Sequence, residues 1–166
     1  DGFAAALGLV EEGVDVRLLA THLIQRGSAA QDYRDRCSAA GIPLSNWPEV
    51  KSTIGTGHPA LVIDCLIGAG PGNAGSRLRG DVASVRNWLR ESRGRESPVL
   101  ACDMPTGLGG QDVIKATATV TFHAEKWALR DADGQIQPDV GEIHTANLPW
   151  SARVEDCGPG DARRHP

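Results

Sequence analysis

Two aspartates each follow a short apolar run and precede a turn-forming segment. Asp64 is followed within four residues by the glycine-rich segment 68–75, and Asp103 is followed directly by the Met-Pro-Thr-Gly turn at 104–107. A carboxylate at a buried strand end can have a raised pKa and serve as a general acid and base. Two carboxylates at neighbouring strand ends could instead hold a cation through oxygen ligands. The pattern leaves both roles open, together with the simpler one in which Asp103 only caps its turn.

The glycine-rich segment and Lys126 are the other candidates for a site. A backbone without side chains can approach a ligand closely and point its N–H groups at a phosphate. No GxxxxGK[ST] motif is present and no GxGxxG motif follows a strand in the required place, so ligand binding and plain loop geometry both stay open. Lys126 could reach the same edge or be a solvated surface lysine. The histidines show no ligand spacing and no GxSxG motif occurs, so nucleophilic catalysis has no support.

Alternating strands and helices must position these residues. The sequence predicts an α/β domain with a largely parallel sheet, because apolar or alternating runs alternate with helical periodicity along the chain. Ligands of such sheets bind beyond the carboxyl ends of the strands, which is where Asp64 and Asp103 fall. We expect helices at 1–12, at 28–40 and from Gly80-Asp81 onward with Asp81 as cap, and strands at 14–19, 60–63, 99–102, 117–122 and 142–144.

Length and composition limit the remaining possibilities. The chain has 166 residues, a length that predicts one domain, over 1–150. Its net charge is -4, so it lacks the basic surface of a nucleic-acid binder. The polar tail, 151–166, is expected to be poorly ordered. The apolar runs are too short to span a membrane, and no leader precedes them, so we expect a cytoplasmic protein. The four cysteines have no metal-ligand spacing and are expected to be reduced and buried.

Four motifs in order resemble those of the NAD(P)H-hydrate epimerase family, whose members carry the YjeF N-terminal domain. The resemblance extends over roughly residues 1–150, and the four motifs together are fairly specific. The family's VDALFGTG-like motif corresponds here to 63–70, and the LRG element that follows it corresponds to 78–80. The VDIPSGL-like motif corresponds to 102–108, and the TVTF…K segment to 119–122 with Lys126. The family's final short strand and proline correspond to 141–143 and Pro149.

The resemblance implies a fold, an activity and a set of site residues. The fold would be a Rossmann-like three-layer α/β/α sandwich with a mostly parallel sheet. The activity would be interconversion of the R and S epimers of hydrated NADH or NADPH (NADHX or NADPHX), with a potassium ion held by Asp64 and Thr106. A homodimer or a dehydratase partner is possible in this interpretation. Asp103 would be the catalytic acid and base, and the substrate would contact Asp103, Lys126 and the segment Gly68, Ala69, Gly70, Pro71, Gly72, Asn73 and Ala74.

Three departures from the family pattern leave a second function open. Asp1-Gly2 look like the last two residues of the family's GNNGGDG-like loop, so we expect the potassium-binding Asn of that loop to be missing. The segment between Asp64 and Gly80 is longer than usual, and Thr106 replaces the family's Ser. The alternative is a non-catalytic module of the same fold that binds a nucleotide or a protein. A phosphatase is less favoured, because no DxD arrangement follows either strand.

Overall fold

The computed structural model describes residues 1–21, 26–47, 49, 59–68, 77–91 and 97–147. Helices and strands alternate along this part of the chain, as an α/β domain requires. The helices are α1 (Gly2–Glu11), α2 (Ala29–Ala39) and α3 (Gly80–Glu91), followed by a 3₁₀ turn (Trp127–Leu129). The strands are β1 (Leu18–Ala20), β2 (Leu44–Asn46), β3 (Val62–Asp64), β4 (Val99–Cys102), β5 (Ala118–Phe122) and β6 (Glu142–Ala146).

The strand pairs of the described residues are all parallel. β1 pairs with β2, and β3, β4, β5 and β6 form a four-stranded sheet in chain order. In this sheet Asp64 lies opposite Ala101, and Cys102 lies opposite Val120. Because parallel strands end at the same edge, the residues that follow β3, β4 and β5 meet there. The fold is a Rossmann-like α/β fold, as the sequence predicted.

Helix α1 forms because its apolar residues recur on one face. Ala6 is buried together with Cys37 of α2 and Ile42, and the partly buried side chains of Phe3, Leu7, Val10, Val16 and Leu18 pack around them. The helix ends before Gly13, whose φ of +80° is a conformation that glycine adopts without strain. The predicted helix and its buried face are confirmed.

Helix α2 begins where the sequence places a capping serine. Ser28 has an extended backbone, and its side-chain oxygen accepts a hydrogen bond of 3.3 Å from the N–H of Gln31. This satisfies one of the backbone donors that a helix leaves unpaired in its first turn. The prediction that Asp81 caps the next helix is wrong, because α3 begins at Gly80 and Asp81 lies inside its first turn.

A second apolar cluster supports the turn that follows β4. Met104, Leu108, Leu129 and Val140 are buried together, and Val113, Ala128 and Ile143 pack against them. The cluster joins the turn to the 3₁₀ segment and to β6, so it fixes the backbone on which Thr106 and Lys126 stand. Burial of such side chains contributes roughly 1.5–3 kcal/mol each, which makes the turn a rigid part of the fold.

Two local predictions were wrong, and one strand was missed. The strand predicted over 14–19 occupies only Leu18–Ala20, and Val14 is exposed. Strand β2 was not predicted at all. The continuous apolar run at 60–63 predicts a strand covered on both faces, but Leu61 is 44% exposed. The tail at 151–166 lies outside the described residues, and so do residues 57 and 58, where the sequence Gly-His-Pro predicts a turn.

Of the part of the chain that the structure describes, no helix combines the length and apolarity that crossing a bilayer requires.

Candidate functional site at the carboxyl edge of the sheet

Asp64 and Thr106 are locked together at the end of β3. The Thr106 N–H donates a 2.8 Å hydrogen bond to Asp64 Oδ2, and the Thr106 hydroxyl donates one of 2.7 Å to Oδ1. The N–H of Leu66 reaches the same Oδ1 at 3.2 Å, while the N–H of Ile67 donates to the Thr106 hydroxyl at 3.1 Å. Two segments that are 42 residues apart are thereby joined around one carboxylate.

The Asp64 carboxyl is buried without a cationic neighbour among the described residues. It is 3% exposed, and no salt bridge found between described residues includes it. Burial raises the pKa of Asp64, while the hydrogen bonds from Thr106 and Leu66 oppose that rise. A buried carboxylate held only by neutral donors suits a hard cation, which prefers oxygen ligands and would supply the missing positive charge.

Asp103 occupies a left-handed turn immediately after β4. Its φ is +67°, an uncommon conformation that Asp and Asn adopt more readily than other residues with a side chain. Its N–H still donates to Val120 O at 2.7 Å, so the turn stays attached to β5. Asp103 Oδ1 lies 3.4 Å from the hydroxyl of Thr121, a fully buried residue of β5. The backbone conformation therefore directs this carboxylate across the ends of the neighbouring strands.

Lys126 forms an ion pair with Asp103. Its Nζ lies 3.1 Å from Asp103 Oδ1 and donates to the carbonyl oxygen of Phe122 at 2.8 Å. The Lys126 side chain is 31% exposed and that of Asp103 is 16% exposed, so the pair is half-buried at the edge of the sheet. Of the two positions left open for Lys126, the structure shows the one at the edge that carries Asp103. The pair places an amine and a carboxylate side by side at the edge of the sheet.

Gly68 lies beside the other oxygen of Asp103. A Cβ at Gly68 would be 3.9 Å from Asp103 Oδ2, so this oxygen faces the start of the glycine-rich segment. The other substrate-binding residues expected from the resemblance, Ala69, Gly70, Pro71, Gly72, Asn73 and Ala74, lie outside the described residues. Of the predicted substrate contacts, the structure brings together Gly68, Asp103 and Lys126.

The turn between Asp103 and Thr106 depends on Gly107. Its φ is +81°, and a Cβ there would lie 2.9 Å from the carbonyl oxygen of Asp112. The segment after the turn folds back, so that the N–H of Ile114 donates to Thr106 O at 2.9 Å. Gly107 thus lets the chain close over Thr106, which is fully buried.

Two cysteines flank the acidic residues and were not assigned to the site from the sequence. Cys65 follows Asp64, Cys102 precedes Asp103, and the two side chains are hydrogen-bonded to each other. That bond, together with burial, raises the pKa of Cys65, and the same bond lowers the pKa of Cys102. Both are only half-buried, so the expectation of buried cysteines holds for Cys37 and is wrong for this pair.

Thr121 was also missed by the sequence reasoning. It alternates with Thr119 on one buried face of β5, and this period-2 pattern was a signal for residues that share a face. For the cysteines the signal was their matching position beside two predicted strand ends. Neither signal distinguishes a site residue from an ordinary core residue until the strands are placed side by side.

A separate cavity of about 150 Å³ lies beside α3. Arg86 contributes to its wall but is held by Asp112, at 3.3 Å. Its lining consists of Arg77, Leu78, Ala83, Arg86, Asn87 and Asp112, and it includes neither Asp64 nor Asp103.

Comparison with protein families gives a match over most of the chain. The family model described as YjeF-related protein N-terminus matches residues 1–128. That range contains every candidate side chain described above, from Asp64 to Lys126. The match is therefore to the part of the chain that builds the site.

Several curated proteins are similar in sequence. An NAD(P)H-hydrate epimerase of Clavibacter sepedonicus is 33% identical over 163 residues, which cover 91% of this chain and 69% of that protein. A bifunctional NAD(P)H-hydrate repair enzyme Nnr of Thermanaerovibrio acidaminovorans is 35% identical over 136 residues, covering 76% of this chain and 25% of the relative. The enzyme of the same name from Archaeoglobus fulgidus is 30% identical over 169 residues, which cover 97% of this chain and 32% of that relative. The chain thus spans a quarter to a third of the bifunctional relatives.

Proposed function

Because the chain belongs to the family of YjeF-related protein N-termini, we propose that it is an epimerase that interconverts the R and S forms of hydrated NADH or NADPH. The names of its relatives support this substrate class. The observation that carries the proposal is the Asp103–Lys126 ion pair, which stands beside Gly68 at the edge where a parallel sheet binds its ligands.

The reaction needs a group that gives a proton and takes it back. In the hydrated cofactor a hydroxyl sits on a ring carbon next to the nitrogen, whose lone pair can expel it and leave an iminium-like ring cation. The Asp103–Lys126 pair donates its proton to the departing oxygen, so that water leaves. The Asp103 carboxylate then stabilises the ring cation. Water adds to the other face and returns its proton to the pair, which completes epimerisation without any net change in composition.

Neighbouring residues hold this pair in one geometry. The Phe122 carbonyl fixes the Lys126 ammonium, and Thr121 and Lys126 both approach Asp103 Oδ1 while Oδ2 faces Gly68. A positioned acid and base of this kind contributes on the order of 10²–10⁴ in rate. The substrate would therefore lie between Asp103 Oδ2 and the glycine-rich segment.

We propose that Asp64 and Thr106 hold a potassium ion in this site. Their oxygens fit a hard cation, and the buried Asp64 carboxylate has no cationic partner among the described residues. A bound cation would supply positive charge near the substrate. Within the described residues no group of three His, Cys, Asp or Glu side chains converges, so backbone and hydroxyl oxygens would complete the set of ligands.

Replacement of Asp103 by Asn tests the proposal. Asn tolerates the left-handed backbone, so the fold should persist while the carboxylate that stabilises the ring cation and helps to take back the proton is lost. Chiral chromatography of hydrated NADH in potassium buffer should show epimerisation by the wild-type protein and at least a hundredfold slower epimerisation by Asp103→Asn. Asp112→Asn is the matched control, because it removes a carboxylate from an ion pair with Arg86 outside the site. Near-normal turnover by Asp103→Asn would refute the assigned role.

The same assay separates the epimerase from a binding module. If the wild-type protein binds the hydrated cofactor but the epimers interconvert no faster than without protein, the epimerase assignment is overturned. A dehydratase that consumes the S form would act next on the product, and we propose such an enzyme, or a second copy of this chain, as the partner.

A further inference from the structure

The two cysteines at the site occupy equivalent positions on neighbouring strands. Asp64 of β3 lies opposite Ala101 of β4, so Cys65 and Cys102 are the next pair of residues along these two parallel strands. Residues in register on parallel strands project from the same face of a sheet. The two side chains accordingly contact each other through a hydrogen bond, and both are half-buried, which leaves them reachable from solvent.

The register of β3 and β4 brings the two backbones to a spacing that a disulfide can bridge. Neighbouring strands lie about 4.7–4.9 Å apart, and disulfides usually join Cα atoms about 4.4–6.8 Å apart. Cys65 is the first residue beyond β3, so its backbone is no longer constrained by the strand ladder. Cys37 provides the contrast, because it is fully buried and its Sγ donates to the carbonyl oxygen of Phe3 at 3.2 Å.

We propose that Cys65 and Cys102 are an oxidation site at which a hydroperoxide converts two thiols into one intrachain disulfide. One sulfur attacks the peroxide, the O–O bond breaks, and a sulfenic acid forms as the alcohol or water leaves. The second thiol then attacks the oxidised sulfur, so that the S–S bond forms, the S–O bond breaks and water leaves. With hydrogen peroxide, two thiols give one disulfide and two molecules of water. A dithiol reductant reverses the reaction.

The disulfide would act on the site through the residues next to it. Cys65 precedes Leu66, whose N–H is bonded to Asp64, and Cys102 precedes Asp103. Moving the two sulfurs from contact to bonding distance would displace both acidic residues. The oxidised protein should therefore be less active, an expectation that rests on the proposed epimerase function.

Peptide mapping of the wild-type chain tests the oxidation site without any assumption about activity. The protein is treated with hydrogen peroxide, its free thiols are alkylated after unfolding, and it is digested with trypsin. We expect the peptides 52–77 and 96–115, which carry Cys65 and Cys102, to be linked and two hydrogens lighter than their sum. Absence of this pair, or links mainly to the peptides 37–51 or 154–163, would overturn the proposal.

Variants and activity measurements complete the test. Cys65→Ser and Cys102→Ser should each abolish the linked peptide, whereas Cys37→Ala should retain it. If the function is as proposed, peroxide should lower epimerisation at least tenfold and dithiothreitol should restore it, and neither serine variant should show this reversible loss. A linked peptide with unchanged activity would overturn the effect on the site. A reduced wild-type protein that never epimerises refutes the proposed function, while the mapping still decides whether the disulfide forms.

Discussion

Replacing the Thr106 hydroxyl with a methyl group tests the hydrogen-bonded unit at the end of β3. Thr106→Val keeps the shape of a fully buried side chain but removes its 2.7 Å hydrogen bond to Asp64. A hydrogen bond to a charged group contributes about 1.5–3 kcal/mol, and the lost acceptor for Ile67 N–H adds about 0.5–1.5 kcal/mol. We therefore expect the free energy of unfolding to fall by about 2–4.5 kcal/mol at a pH at which Asp64 is ionised.

The matched control is Thr106→Ser, which retains the hydroxyl and deletes one methyl group. It should cost about 1 kcal/mol through the lost methyl alone. Urea denaturation of the three proteins, with one slope for all, gives the comparison. A Thr106→Val protein as stable as Thr106→Ser would show that the hydroxyl contributes nothing and would refute the reasoning.

The pH dependence of the Thr106→Val penalty supplies a further check. The hydroxyl stabilises the ionised form of Asp64, so its loss raises the pKa of Asp64 further. The penalty should be full where native Asp64 is ionised and should shrink as the pH falls through its pKa, because a neutral carboxyl forms a weaker hydrogen bond. A penalty that is the same at all pH values would contradict the assignment to the charged carboxylate.

Three further changes should have distinct effects. Gly141→Ala would force a Cβ against the backbone carbonyl oxygen of Thr117 and should lower the free energy of unfolding by about 3 kcal/mol or more. In the control Gly134→Ala the Cβ meets open space, so the loss measured by urea denaturation should be about 1 kcal/mol. Because the pKa of Asp64 is raised, the native state binds more protons than the unfolded state between the two pKa values, and the melting temperature should fall as the pH rises through the folded pKa. Potassium, if it binds at Asp64, should offset that fall. A melting temperature that does not respond to potassium would count against the ion site. Lys126→Met should slow epimerisation at least about tenfold while Lys115→Met, which breaks an exposed ion pair, leaves the rate unchanged.

The sequence could predict the strands that carry the site because each has a local signal. Strands β3, β4 and β5 are β-branched or apolar runs that end at polar residues, and helix α2 has a capping serine. Strand β2 has no such signal. Its three residues, Leu44–Asn46, include two polar ones, and their extended conformation is fixed by pairing with β1, a contact across the length of α2.

The candidate site residues were easier to predict from the sequence than the hydrogen bonds and ion pairs that they form. Asp64 and Asp103 were found from their positions at strand ends, and Thr106 from its place in a motif. The bonds that define the site join distant segments, such as Asp64 to Thr106 and Asp103 to Lys126. A single sequence contains no information on such distances, so the cysteine pair and the buried Thr121 became apparent only when the strands were aligned in space.

The left-handed backbone at Asp103 restricts the replacements that this position can accept. Asn and Gly adopt that conformation at low cost, whereas larger or branched side chains would strain the turn. The exchange of Asp for Asn needs a single nucleotide change in the gene. If the proposed function holds, one such mutation would remove the catalytic carboxylate and leave the shape of the turn unchanged, so activity at this position could be lost without loss of the fold.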